Sequence, residues 1–176
     1  MSLANLEELF LHEIKDIFDA EKQIVKALPK MIKAVETPEL VNALEEHLAV
    51  TEKQVERLEE VFGLLEKPAR GKKCAGMEGL LKEGSSLLEE DAEASVLDAG
   101  VIGAAQKVEH YEICAYGTLI AFAQELGYDE IAELLEQSLE EEKEADETLT
   151  EISAQVNKAA SAGEEEKEEA TTSKRK

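Results

Sequence analysis

The sequence predicts an all-α protein, a four-helix bundle with one long crossover that carries a short extra helix. Three observations predict it. Apolar residues recur at three-to-four spacing over stretches far longer than any strand. Glycine (10) and proline (3) are few and charged residues reach 34%, a balance that suits long helices better than sheets. Hydrophobic residues make up 43% of the 176-residue chain, enough to fill one core. With aromatics at 4% and no Trp, that core has to be built of Leu, Ile, Val and Ala.

The first helix is expected over residues 3–35, where Leu6, Leu9, Phe10, Ile14, Ile17, Ile24, Leu28, Met31 and Ile32 form one stripe. Pro29 removes a backbone donor inside it and is expected to kink its last part. Thr37 as N-cap with Pro38 at the first helical position opens the second helix. Leu40, Leu44, Leu48, Val55, Leu58 and Phe62 carry that helix to a stop at Gly63. Residues 63–76, with Pro68, Gly71 and Gly76, read as a loop. A short helix at 77–90 uses Met77, Leu80, Leu81, Leu87 and Leu88. A third long helix covers 94–126 and ends at Gly127; the fourth runs from Asp129 to about 157. Residues 1–157 therefore make one helical domain. Residues 158–176 read as a charged, disordered tail, because Glu164–Glu166 and Lys174–Lys176 offer little apolar surface to offset the entropy of ordering. Two helical hairpins joined by one long crossover form the ferritin-like version of the four-helix bundle.

The formal net charge is −22. A sequence-independent grip on nucleic acid needs Lys and Arg to displace counterions, and anionic membranes repel such a surface; neither partner is expected. No segment approaches 18 uninterrupted apolar residues, and no secretory signal pattern precedes the first helix. The expected location is the cytoplasm. Cys74 and Cys114 form no CxxC pair and are read as buried or incidental thiols.

Besides Asp98, five acidic residues fall on the apolar stripes. At about 100° per residue, Glu21 points with Phe10, Ile14, Ile17, Ile24 and Leu28. Glu109 and Glu112 share a face with Asp98, Ile102, Ala105, Tyr116, Ile120 and Ala123, and their i,i+3 spacing lets both lean toward one point. Glu142 lies with Ile131, Leu135, Ser138 and Leu149, and Asp146 flanks the same line one turn on. Helix two is less definite. His47 lies about 60° to one side of its stripe and Glu52 about 80° to the other, so either can reach inward. A weak internal repeat favours Glu52: Glu52-Lys53 followed by Glu56 matches Glu142-Lys143 followed by Asp146. Buried carboxylates are costly unless a cation or hydrogen bonds compensate them. Carboxylates and an imidazole converging from several helices suit iron, manganese or zinc. The known plan takes a Glu from each of two helices and Glu-x-x-His from each of the others; here Ala145 stands where that His is expected.

The stretches DAEKQIVKALPKM (19–31), HLAVTEKQVERLEEVFG (47–63), CAGMEGLLKEG (74–84), AQKVEHYEICAYGTLIAFAQELG (105–127) and SLEEEKEADETL (138–149) closely resemble the YciE/YciF-type ferritin-like stress-protein family. The resemblance spans about residues 3–155. It implies a bundle that forms a homodimer and binds two metal ions, with Glu21, Glu109, Glu112, Glu142 and Asp146 on the family's inward acidic positions and His47 and Glu52 on helix two. Iron comes first, with manganese or zinc as alternatives. The implied chemistry, if the protein is an enzyme, is that of a di-iron oxidoreductase or peroxidase: ferrous oxidation or peroxide reduction. A rubredoxin-like iron site needs four thiolates and the chain has two cysteines, so an electron donor has to come from elsewhere. The rival reading is a non-catalytic interaction or protective module with at most a structural metal.

Overall fold

Asn5 starts the first helix by accepting the Glu8 N–H at 2.8 Å, which satisfies one orphan donor of the first turn, and the Glu8 carboxylate accepts the N–H of Ala4, just before the cap, at 2.7 Å. The computed structural model describes the backbone of residues 3–173 and the side chains of 3–162. It contains α1 (Leu6–Ala34), α2 (Pro38–Leu64), α3 (Ala75–Leu87), α4 (Ala94–Glu125) and α5 (Asp129–Ser173), and no strand among the described residues. Helix α1 continues through Pro29 to Ala34.

Between α1 and α2 the Thr37 side chain makes no capping hydrogen bond. The connection is held instead from across the bundle. The buried carboxylate of Asp98 on α4 accepts the Glu36 N–H at 3.1 Å and the Thr37 N–H at 2.8 Å. One of the inward acids on the α4 stripe is thereby accounted for as a clasp on the connection.

Gly63 does not end α2. It stays helical, and the helix runs to Leu64. The left-handed residue is Glu66, at φ 54. Glu66 N–H donates to the Gly63 carbonyl and Lys67 N–H to the Phe62 carbonyl, both at 3.0 Å, the paired closure of a Schellman motif. A glycine signals such a stop only where it occupies the left-handed position, as Gly127 does at φ 74 after α4. There Gly127 N–H reaches the Gln124 carbonyl at 3.1 Å and Tyr128 N–H the Ala123 carbonyl at 2.9 Å.

The short connections make two hairpins, α1–α2 and α4–α5, and these close on each other as α2 against α5 and α1 against α4. The crossover carries α3, which packs on α4 and α1. Gly100 permits that approach, since a Cβ there would meet Leu87 Cδ2 at 2.5 Å. Phe10, Ile14 and Ile17 of α1, Leu40 and Leu44 of α2, Val101 and Leu119 of α4 and Leu135 of α5 fill the core. Backbone helix runs on to Ser173, beyond the domain end expected near 157, and the last buried side chain among those described is Val156. The charged run at 164–166 falls outside the described side chains, and residues 174–176 outside the described backbone. No helix among the described residues is long and apolar enough to cross a membrane.

Candidate metal centre

Four helices each send polar side chains into the middle of this core. Glu21 comes from α1, His47 and Gln54 from α2, Glu109 and Glu112 from α4 and Glu142 from α5, and all six are buried. His47, Glu109, Glu112 and Glu142 each offer a donor atom within 4.8 Å of the others. The His47 Nε2 lies 3.5 Å from Glu109 Oε1.

A set of neutral and cationic neighbours holds these carboxylates in place. Tyr116, fully buried one turn beyond Glu112, donates its hydroxyl to Glu21. Gln54 Nε2 donates to Glu142 Oε1 at 2.5 Å and to Glu141 Oε2 at 3.1 Å. Arg57, one turn further along α2, binds Glu141 through two hydrogen bonds of 2.8 and 2.9 Å and donates to Ser138 Oγ at 2.7 Å.

That support is incomplete. Glu21 Oε2, His47 Nε2, Gln54 Oε1, Glu109 Oε2, both oxygens of Glu112 and Glu142 Oε2 are buried without a hydrogen-bond partner among the described residues. Native interiors leave few polar atoms in that state, and these seven meet at one place. Burial pushes the Glu21 and Glu109 carboxyls well above the usual carboxylate range, and the charge of Glu142 pushes them further. Burial does the same to Glu112, reinforced by Glu21, Glu142 and Glu109 in turn. Burial also lowers His47, with Glu142 opposing it. A neutral imidazole is the form that ligates metal.

The residues fit a pair of divalent cations on two counts. The orphaned atoms are carboxylate oxygens, an imidazole nitrogen and an amide oxygen, all ligand atoms for iron, manganese or zinc. Four buried carboxylates carry four negative charges when ionised, which two divalent ions neutralise.

The structure thus gathers Glu21, His47, Glu109, Glu112 and Glu142 from the sequence-predicted set. Glu52 is not among them: its side chain is exposed on α2. Asp146 stands beside the cluster, 23% exposed, hydrogen-bonded by Gln106 at 3.1 Å and 3.4 Å from the exposed His110 ring. Its charge is still felt at Glu109. Gln54 and Arg57 escaped notice in the sequence. Gln54 lies seven residues after His47, which is about 20° away around a helix; two polar residues sharing that line were the available signal.

Residues 5–162 match the family described as a domain of unknown function (DUF892). The chain is 42% identical over 165 residues to protein YciF of Escherichia coli K12, covering 91% of this chain and 98% of that protein. The crystal structure of the E. coli stress protein YciF superposes with a TM-score of 0.86 at 39% identity, covering 89% of this chain and 99% of that one. YcfI from Rhodopseudomonas palustris gives 0.83 at 46% identity, covering 85% and 95%.

Proposed function

This chain belongs to the DUF892 family, and from that premise we propose that its core holds two divalent metal ions in a stress-related role, oxidising ferrous iron or reducing peroxide. Iron is the first choice of resident metal, with manganese or zinc as alternatives. The observation that carries the reading is the convergence of seven buried, unpartnered ligand atoms from four helices. A bundle gains nothing in stability from such a cluster, because each orphaned buried group costs about 1–3 kcal/mol.

His47, Glu109, Glu112 and Glu142 would hold the metal together with the neighbouring buried carboxylate of Glu21. When bound, iron or manganese would supply redox equivalents, and any of the three ions would act as a Lewis acid. The chain's own residues do the rest. Ile24, Leu28 and Ala105 form an apolar wall on one side of the cluster, and a low-dielectric wall strengthens the electrostatic interactions beside it. The Tyr116 hydroxyl fixes the orientation of Glu21, and the Gln54 amide fixes that of Glu142. Outer partners of this kind set ligand geometry and basicity. Arg57 ties α2 to α5 beside the site through Glu141 and Ser138. Because burial raises the carboxyls of Glu21, Glu109 and Glu112, loading has to expel protons and should weaken as the pH falls.

YciF of E. coli is described as a stress protein, which is the ground for the stress-related part of the reading. The test is metal content after anaerobic iron or manganese loading and desalting, followed by assays of ferrous iron and peroxide turnover. About two ions per chain are expected from the four carboxylates. They should be lost in Glu142→Ala and Glu109→Ala and kept in Glu52→Gln. Retention of two ions with no turnover would support the protective module over the enzyme. Retention unaffected by Glu142→Ala and Glu109→Ala would place the metal elsewhere.

A further inference from the structure

Two cavities touch the buried cluster, and both include His47 and Glu109 in their walls. One, of about 20 Å³, lies between Ile24, Leu28, Met31 and Leu81. It is apolar and has room for about one water. The other, of about 140 Å³, is a cleft between α2 and α5. Its inner end is formed by His47 and Glu109, and its outer rim carries Glu46, Glu141 and Glu144.

The two ends differ in a way that gives the cleft a direction. At the inner end His47 Nε2 and Glu109 Oε2 are buried and lack hydrogen-bond partners. At the rim Glu141 is committed to Arg57. Glu46 and Glu144 are exposed, and neither carboxylate has an ion pair or side-chain hydrogen bond among the described residues. Between them the walls are mostly apolar: Ala43, Leu44 and Val50 on α2, Ala145, Thr148 and Leu149 on α5. Ala145 is the smallest side chain that α5 contributes to these walls. The volume accommodates several waters, so a partly hydrated cation can enter before its last waters are replaced by ligands.

We propose that this cleft is the route by which divalent cations reach the buried cluster, with Glu46 and Glu144 capturing the ion at the mouth and Ala145 keeping the passage open. The inference rests on the metal centre proposed above and adds the path and the residues that serve it. Clefts lined by one sign of charge within low-dielectric walls concentrate counter-ions and raise their on-rates. The capture residues therefore act on the rate of loading, and the buried ligands on its extent.

The test is stopped-flow uptake of cobalt(II) by the metal-free full chain, followed by its visible absorption, with cobalt per chain measured at the end. The double variant Glu46→Gln/Glu144→Gln is expected to load about fivefold more slowly at low ionic strength, with the difference closing at high salt. Ala145→Leu and Val50→Phe, which plug the cleft from opposite walls, should slow uptake at either salt. Final cobalt per chain should be unchanged in all of them. Glu89→Gln/Glu90→Gln, which removes the same charge at the exposed end of α3, should load at the parental rate. Parental rates in the rim and plug variants would overturn the route while leaving the centre intact, as would equal slowing in the α3 control. No cobalt in the parent chain would overturn the centre and the route together. Because the rim residues are exposed, their variants keep the test decisive even if a plug disturbs folding.

Discussion

Glu112→Gln should make the metal-free protein more stable and the metal-loaded protein weaker. Both Glu112 oxygens are buried without partners, and Glu21, Glu142 and Glu109 all push its proton affinity up. The amide keeps the volume and removes the charge. Relief of one buried, repelled carboxylate amounts to about 2 kcal/mol. In a 176-residue chain that corresponds to a rise of about 4–8 °C in Tm. The sign with pH follows from the raised pKa. A carboxyl raised by folding contributes its full stability below the unfolded value, near 4.3, and loses it as the pH rises toward the folded value. Glu21, Glu109 and Glu112 all act in this sense. His47, lowered by burial, acts oppositely: its contribution is present above about 6.5 and lost as the pH falls through its folded value. The comparison is therefore cleanest near pH 8. The assay is urea denaturation of parent and Glu112→Gln, each with chelator and with saturating manganese(II). The expected pattern is a crossing: the variant is the more stable without metal and the less stable with it. A variant less stable than the parent in chelator would show that the Glu112 carboxylate makes a stabilising contact, and the metal argument would lose its footing.

Three further substitutions probe the surroundings. Tyr116→Phe removes the hydroxyl that orients Glu21; it should cost about 1–2 kcal/mol in urea denaturation and loosen metal retention on dialysis against chelator. Glu66→Gly replaces a side chain held at φ 54 after α2 and should stabilise by about 1 kcal/mol, visible as a higher Tm. Asp98→Ala strips the Glu36 and Thr37 N–H groups of their acceptor; a loss of about 2–3 kcal/mol is expected, with metal content per folded chain unchanged.

The order and type of the helices were legible because each carries its own three-to-four stripe and needs no partner to show it. The inward positions of Glu21, Glu109, Glu112 and Glu142 were legible for the same reason, since a carboxylate at the centre of an apolar face has only the core to point into. Positions at the edge of a stripe were not. His47 and Glu52 straddle the α2 stripe at comparable angles, and only the packing of α2 against α5 decides that the imidazole turns in and Glu52 stays in solvent. The apparent repeat linking Glu52 to Glu142 fails there: similar sequence stands on differently rotated faces. Asp146 is drawn aside by Gln106 and His110, contacts between α4 and α5 that no single-helix pattern contains. Gln54 was passed over because an uncharged amide on a stripe raises no electrostatic alarm, although its second donor bond and orphaned oxygen make it part of the site. Gly63 misled as a stop because the termination depends on which residue adopts the left-handed conformation, and here that is Glu66.

Anomalous diffraction from crystals loaded with iron or manganese decides whether the buried cluster is a metal centre. Two anomalous peaks are expected among Glu21, His47, Glu109, Glu112 and Glu142, with Glu52 outside contact distance of both. Loaded crystals whose peaks fall only on the acidic surface, or whose cluster holds ordered water alone, would contradict a metal centre there.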